Sequence, residues 1–225
     1  MIRHVGVVIP ARDEEALIAR CLTAVADAAR TVDVTVSVIV VADGCLDRTV
    51  EIARSFPAVR VLEIESSNVG AARQAGARAA VALGAQWLAN TDADSVVPPN
   101  WLREQLALAE TGADIVVGTV RPDFTELTTE QIDAWHATHI PGEPNGHVHG
   151  ANLGVRTSTY LAAGGYQALP EHEDVELVER LSTLGTVVAS DAGEVITSAR
   201  LFGRTPGGYA RYLREQMLAA RQALR

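Results

Sequence analysis

The N-terminal half of the chain alternates β-branched runs with segments of helical periodicity, and this order limits the fold more than any other feature. The predicted strands are Val5–Ile9, Thr35–Val41, Val59–Ile64, Gln86–Ala89 and Ile115–Val117. The predicted helices between them are Asp13–Ala29, Asp47–Phe56, Val69–Leu83 and Pro98–Glu110. Thr35–Val41 is β-branched almost throughout, which is typical of a strand buried on both faces. The order therefore predicts an α/β fold with a mostly parallel central sheet flanked by helices.

The second half contains a long irregular segment between Thr119 and His149, which prolines and glycines interrupt. Thr128–His139 is a candidate helix within it, and a connection of this length in a compact domain is usually functional or mobile. Beyond it, the pattern predicts a strand at Gly150–Val155 and helices at Thr157–Ala163, Glu173–Leu184 and Gly207–Leu224. The last helix is amphipathic, with most of its arginines on one side.

The basic residues exclude several kinds of chemistry. All 19 are arginine, so there is no lysine for a Schiff base, a pyridoxal cofactor or a phosphate-binding loop. Residues 198–225 hold six arginines and one glutamate, whereas the whole chain has a net charge of −9. This acidic body argues against nucleic-acid binding and suits metal-assisted chemistry. We expect the basic helix at 206–225 to pack on the body or form a homodimer contact, because its apolar face is weak for a membrane surface.

The sequence also bears on the compartment. No apolar stretch approaches the length of about 18 residues that a membrane span needs. Acidic residues follow the N-terminus too soon for a secretory signal. The two cysteines, Cys21 and Cys45, form no Cys-x-x-Cys pair. We therefore expect a cytoplasmic protein.

Polar residues cluster after three of the predicted strands, at Pro10–Glu14, Asp43–Gly44 and Asp92–Asp94. Ligands of open α/β sheets bind beyond the carboxyl ends of the strands, so these clusters are expected to converge. Asp92 and Asp94 are two residues apart, and on an extended backbone their carboxylates point the same way. Such a pair suits Mg²⁺ or Mn²⁺ on substrate phosphates. The alternative for each cluster is a solvated turn or a helix cap.

Further candidates lie elsewhere along the chain. The small residues of Asn68–Gly76 could present backbone N–H groups to an anion, with Arg73 as a phosphate ligand, or could be simple alanine-rich packing. Glu171–Asp174 could hold a general base, or could only match a helix dipole. For the histidines before Gly150, pocket or loop contacts are favoured over metal binding.

Taken in order, these motifs resemble glycosyltransferase family 2, whose members have the GT-A fold. The resemblance covers about residues 4–205 and rests on Val7–Glu15, Val40–Thr49, Asn68–Gly76, Thr91–Leu102, Gly150–Arg156, Gly164–Tyr166 and Glu173–Asp174. It implies a single Rossmann-like GT-A domain over residues 1–205. Residues 1–118 would form the nucleotide-sugar half, residues 119–205 the acceptor half, and residues 206–225 the C-terminal helix.

The resemblance also implies a metal-dependent inverting transfer from a nucleoside-diphosphate sugar, most simply a UDP- or GDP-sugar, to an unknown acceptor. The nucleotide would be bordered by Pro10, Ala11, Arg12, Glu14, Asp43, Arg73, Asp92 and Ala93. Asp94, with Asp92, would hold the metal. Asp174 would be the general base, with Glu173 as the competing assignment. Trp135, His149, Asn152, Arg200 and Arg204 would contact the acceptor or the diphosphate.

The sequence departs from the family pattern near the nucleotide. Ala42 stands where the family has the first aspartate of an Asp-Asp pair, and Cys45 replaces a serine. These changes favour one alternative, a catalytically silent nucleotide-sugar-binding protein. A second alternative is a sugar-phosphate nucleotidyltransferase, but the loop after the first strand is neither glycine-rich nor lysine-bearing.

Overall fold

The structure is a computed structural model that describes residues 1–140, 147–203 and 208–215. The strands are β1 (His4–Ala11), β2 (Thr35–Asp43), β3 (Val59–Ile64), β4 (Trp87–Asn90), β5 (Ser95–Val96), β6 (Ile115–Pro122), β7 (Leu153–Arg156) and β8 (Val187–Thr197). The helices are α1 (Ile18–Ala29), α2 (Thr49–Arg54), α3 (Val69–Ala82), α4 (Trp101–Glu110), α5 (Thr129–His136), α6 (Thr157–Ala162) and α7 (Glu173–Ser182). Residues 209–215 are also helical. Among the described residues, no helix is both long and apolar enough to cross a membrane.

All eight strands form one sheet, in the order β3-β2-β1-β4-β7-β6-β8-β5. β1 runs parallel to both β2 and β4, β2 is parallel to β3, and β6 is parallel to β8. β7 is antiparallel to β4 and β6, and β5 is antiparallel to β8. The chain leaves β1 in one direction for β2 and β3, and later returns to its other side for β4. This switch point brings the carboxyl ends of β1, β2 and β4 together, where α/β sheets bind ligands.

Two apolar layers hold the sheet between helices. Val5, Val7 and Ile9 of β1 pack towards α1 and α4, whereas Val8 packs towards α3 and α7. These four side chains have no exposed surface. Burial on both faces explains why the strands are apolar without alternation.

Small residues let α3 approach the sheet closely. A side chain at Gly76 would bring its Cβ to 2.5 Å from Cγ1 of Val8. A side chain at Gly6 would collide in the same way with Ala80. The alanine-rich composition of α3 therefore serves packing, and it fixes the N-terminus of α3 at the edge of the sheet where the strand ends converge.

The predicted order of elements is confirmed in the N-terminal half except for β5, a two-residue strand that was not predicted, and the ends of several elements are corrected. β1 does not stop at Pro10 but includes it. β4 pairs with β1 only as far as Val8, so the missing N–H of Pro10 breaks no pairing on that side. α1 begins at Ile18 and not at Asp13, because the loop between them turns towards the strand ends.

The second half differs more from the prediction. β8 was not predicted, although its 11 residues make it the longest strand among those described. Gly150–Asn152 is a 3₁₀ turn, and the strand begins only at Leu153. Of the predicted C-terminal helix, residues 209–215 are helical, and residues 216–225 lie outside the described part of the chain.

Candidate active site

A cavity of about 590 Å³ opens at the carboxyl ends of the strands. One side is formed by the loops after β1, β2 and β4 and by the start of α3. The opposite side is formed by the segment before β7, the start of α7 and the residues after β8. The predicted site residues that line it are Pro10, Ala11, Arg12, Glu14, Asp43, Arg73, Asp92, Ala93, Asp94, His149, Glu173, Asp174 and Arg200. The strand-end clusters therefore do converge.

Asp43, at the end of β2, organises the loop that leads into α3. Its carboxylate accepts hydrogen bonds from the backbone N–H groups of Ser66, Ser67 and Asn68 at 2.6, 2.9 and 2.7 Å. Asn68 in turn caps α3 by accepting from the N–H of Ala71 at 2.9 Å. Asp43 is buried and borders the cavity, so its hydrogen bonds fix the shape of this part of the cavity wall.

Arg73 of α3 joins the two sides of the cavity. Its Nη2 donates to Oδ1 of Asp92 at 2.6 Å, and its Nε donates to Oε1 of Glu173 at 2.8 Å. Although burial opposes its charge, Asp92 and other neighbouring groups hold the pKa of Arg73 above its usual range. Its Nη1 is buried without a hydrogen-bond partner among the described residues. Gly150 lies against this guanidinium, and a side chain at Gly150 would collide with it.

A second arginine connects the ends of β1, β4 and β8. Arg200 donates to both carboxylate oxygens of Glu14, at 2.9 and 2.7 Å. The same guanidinium lies 2.7 Å from Oδ2 of Asp94. Thr197, the last residue of β8, donates from its hydroxyl to Oδ1 of Asp94 at 3.3 Å. Burial raises the pKa of Asp94 to about 7, with Asp92 and Glu14 adding to the shift and Arg200 opposing it.

Two carboxylates at the start of α7 have different surroundings. Glu173 is 4% exposed and is held by Arg73. Burial raises the pKa of Glu173, and Arg73 opposes the shift. Asp174 is less buried and accepts from the N–H of Gly150 at 2.6 Å. Asp174 is therefore better placed than Glu173 to meet a ligand in the cavity.

The sequence matches glycosyl transferase family 2 over residues 6–161, which is more than half of the chain. The chain belongs to glycosyl transferase family 2. The GT-A fold predicted from the sequence is confirmed by the likeness of this family 2 chain to solved structures. No curated protein matches the sequence.

Three solved structures illustrate the likeness. The TarS fragment 1–349 of S. aureus in complex with UDP-GlcNAc has a TM-score of 0.68 and 14% identity, over 96% of this chain and 66% of that one. The mannosyltransferase PcManGT from Pyrobaculum calidifontis in complex with GDP-Man and Mn²⁺ has a TM-score of 0.68 and 20% identity, over 97% and 63%. A mycobacterial protein has a TM-score of 0.62 and 21% identity, over 97% and 74%. This chain thus spans just under two thirds of the TarS fragment and of PcManGT.

The donor set of this family 2 cavity fits a divalent cation. Asp92 and Asp94 offer hard carboxylate oxygens, the ligand type that Mg²⁺ and Mn²⁺ prefer. Burial and two neighbouring carboxylates raise the pKa of Asp94. A bound cation would oppose this rise, because its positive charge stabilises the ionised carboxylate. The residues present therefore suit the predicted metal.

A second group of possible ligands lies outside the cavity lining. Asp13, Cys45 and Asp47 each place one ligand atom within 4.8 Å of the others. Asp13 accepts from the N–H of Leu46 at 2.7 Å, and Asp47 accepts from the N–H of Glu15 at 2.9 Å. These hydrogen bonds join the loop after β1 to the loop after β2. We therefore assign this group of side chains a structural role in the two loops.

Three non-glycine residues in the described part of the chain have positive φ angles, and all three lie beside the cavity. They are Asp13 at 50°, Ser67 at 51° and His172 at 58°. Ser67 and His172 line the cavity directly, and Asp13 lies between the lining residues Arg12 and Glu14. Backbone strain of this kind costs about 1–3 kcal/mol per residue and concentrates at functional sites.

The predicted acceptor contacts divide into two groups. His149 lines the cavity, and burial lowers its pKa to about 4 despite the nearby Asp174. Trp135 is not among the described lining residues; it is 8% exposed and stacks on His139 with 4.0 Å between ring centroids. Arg204 lies outside the described residues.

Asn152 is also absent from the described cavity lining. It accepts from Nε1 of Trp101 at 2.8 Å and donates from Nδ2 to the carbonyls of Thr119 and Gly193 at 2.9 Å each. Its amide thus joins α4, β6 and β8, and we assign it a structural role.

Several lining residues were not predicted from the sequence. They include Ser67, Thr197, Ser198, Tyr209 and Tyr212. Thr197 and Ser198 follow the carboxyl end of β8, and recognising that strand would have indicated them. Tyr209 and Tyr212 belong to the predicted amphipathic helix at the C-terminus, and an amphipathic pattern predicts that one face is buried but not what that face covers.

Proposed function

We propose that this chain transfers a sugar from a nucleoside-diphosphate donor to an acceptor hydroxyl, with inversion at the anomeric carbon and with a divalent ion. One observation carries the proposal: a single cavity is lined by Arg73, Asp92 and Asp94 and also by Asp174, which is the less buried of the two carboxylates at the start of α7. The complexes of TarS with UDP-GlcNAc and of PcManGT with GDP-Man support a UDP- or GDP-sugar as donor. Residues 1–118 would supply most of the donor side and residues 119–205 most of the acceptor side.

The donor side would stabilise the leaving group. Breakage of the bond between the anomeric carbon and the phosphate oxygen leaves negative charge on the diphosphate. Mg²⁺ or Mn²⁺ held by Asp94 and Asp92 would supply Lewis-acid stabilisation of that charge. The guanidinium of Arg73 is paired with Asp92, so it would add a fixed positive charge beside the metal ligands without any rearrangement.

The acceptor side would supply the base. As the acceptor oxygen bonds to the anomeric carbon, its proton would pass to the carboxylate of Asp174. Attack on the face opposite the leaving group, in one displacement, inverts the anomeric centre. Glu173 is committed to the buried pair with Arg73, so we assign it to positioning that arginine.

The test is release of nucleoside diphosphate from UDP- and GDP-sugars with Mn²⁺ and a panel of hydroxyl acceptors. We expect Asp174→Asn to lower turnover by about 10²–10⁴-fold. Its donor affinity should stay near that of the wild type, because Asp174 lies on the acceptor side. Asp33→Asn, at an exposed position, is the matched control. Normal turnover by Asp174→Asn would contradict the assignment of the base, and a product with retained configuration would contradict the single displacement.

We also propose a reducing compartment such as the cytoplasm. Cys21 and Cys45 are both free thiols in the structure. Free thiols without disulfides are typical of proteins kept in a reducing environment.

A further inference from the structure

Arg200 holds carboxylates from two different strand ends in one cluster. Its guanidinium engages both oxygens of Glu14 and Oδ2 of Asp94, all within 2.9 Å. Glu14 and Asp94 have side-chain exposures of 7% and 12%, whereas Arg200 retains 30%. Arg200 is also 186 residues from Glu14 along the sequence. The contact therefore depends on the folded segment after β8.

We propose that Arg200 is a built-in counter-ion of the metal-site carboxylates, which a divalent ion replaces readily only when a nucleoside diphosphate also binds. This inference rests on the proposed function, because it concerns the metal and donor of that same site. Its consequence is that metal and nucleotide reinforce each other's binding, and that the metal alone binds weakly.

A divalent ion and the guanidinium of Arg200 would compete for carboxylate oxygen of Asp94. A divalent ion on Asp94 needs carboxylate oxygen that the guanidinium now holds. Placing the ion beside the guanidinium would bring like charges together next to a largely buried carboxylate, where Coulomb repulsion is stronger than in bulk water. Metal binding without nucleotide must therefore first break the contacts of Arg200.

A bound diphosphate would offer the guanidinium of Arg200 an alternative partner. Guanidinium groups bind phosphate oxygens in the same bidentate geometry as carboxylates. Arg200 lines the cavity, so a bound diphosphate lies within the space that its side chain borders. Transfer of the guanidinium from Asp94 to the diphosphate would free the carboxylate for the metal, which is a positive coupling between two ligands.

Arg73 makes a useful contrast, since it also pairs with carboxylates of the cavity. Its side chain is 3% exposed and is enclosed between Asp92 and Glu173. Arg73 thus has no room to change partners, whereas Arg200 lies nearer to solvent. We therefore assign the change of partner, from Asp94 to the diphosphate, to Arg200. Arg73 stays a fixed positive charge.

The experiment measures Mn²⁺ binding without nucleotide, by electron paramagnetic resonance and by calorimetry. We expect Arg200→Gln to bind Mn²⁺ about tenfold more tightly than the wild type, within the usual range of coupling between sites. Arg54→Gln removes the same charge from an exposed pair with Glu63, and it should bind Mn²⁺ as the wild type does. Equal or weaker Mn²⁺ binding by Arg200→Gln would overturn the proposal.

The same titrations, repeated with saturating UDP or GDP, measure the coupling. In the wild type the nucleoside diphosphate should strengthen Mn²⁺ binding by more than it does in Arg200→Gln. Arg200→Lys keeps the charge without the planar fork, so it should give an intermediate Mn²⁺ affinity and decide the question if Arg200→Gln does not fold. A wild type that binds no nucleoside diphosphate would contradict the proposed function, whereas equal Mn²⁺ affinities contradict the role of Arg200 alone.

Discussion

The Nε of Arg73 donates to Oε1 of Glu173 over 2.8 Å, and both side chains are almost completely buried. This pair joins the start of α3, on the nucleotide side of the cavity, to the start of α7, on the acceptor side. Removing Arg73 would leave Glu173 as a nearly buried carboxylate without its ion partner, whereas removing Glu173 would leave Arg73 paired with Asp92 alone. The pair therefore links the stability of the fold to the geometry of the cavity.

The first prediction concerns the stability of this pair. Arg73→Met should lower the free energy of unfolding by about 3–5 kcal/mol, because Glu173 would remain buried without its partner. Adding Glu173→Gln should recover part of the loss. Urea unfolding measures both, and Arg54→Met, in an exposed pair, should change stability little. A small loss in Arg73→Met with no recovery in the double variant would contradict the importance of the pair.

The second prediction concerns Asn152. Asn152→Ala would leave the indole N–H of Trp101 and two backbone carbonyls without their partner. Each buried group left unsatisfied costs about 1–3 kcal/mol, so the unfolding midpoint in urea should fall clearly. The folded variant should keep its affinity for nucleoside diphosphates. Unchanged stability with a raised acceptor KM would instead place Asn152 in the acceptor site.

The third prediction concerns pH. Burial lowers the pKa of His149 to about 4, so the unfolded chain binds a proton there at a higher pH than the folded protein does. Stability should therefore fall as the pH drops from about 6.5 towards 4, by at most about 1.4 kcal/mol per pH unit from this residue. His149→Gln should flatten the profile in that window, and His136→Gln, at an exposed position, should not. Parallel profiles for the wild type and His149→Gln would contradict this assignment.

Much of the fold could be predicted because its strands carry an unambiguous signal. β3 has the bounds that the sequence predicted, since its β-branched residues lie between clear turns. β8 was missed because its centre, from Ala189 to Glu194, is small or polar. Its place in the sheet comes from pairing with β6 and β5, which local sequence does not reveal.

The candidate site likewise has residues that the sequence predicts and contacts that it does not. Asp43, Asp92 and Asp94 could be predicted because strand ends of a parallel sheet meet at one edge. The contact of Arg200 with Glu14 could not, since it joins residues far apart in the sequence and depends on the unrecognised β8. The burial of Asn152 was equally hidden, because an asparagine after a loop has the same local pattern whether it meets a ligand or a backbone carbonyl.

The central claim is that the cavity binds a nucleoside diphosphate together with a metal ion. The most direct measurement is a calorimetric titration of the wild type and Asp94→Asn with UDP, GDP, ADP and TDP, each with Mn²⁺ and with EDTA. Asp33→Asn is the matched control. We expect one or more nucleoside diphosphates to bind the wild type and Asp33→Asn with Mn²⁺, and to bind much more weakly with EDTA or in Asp94→Asn. No binding to the wild type, or binding that neither EDTA nor Asp94→Asn weakens, would contradict the claim.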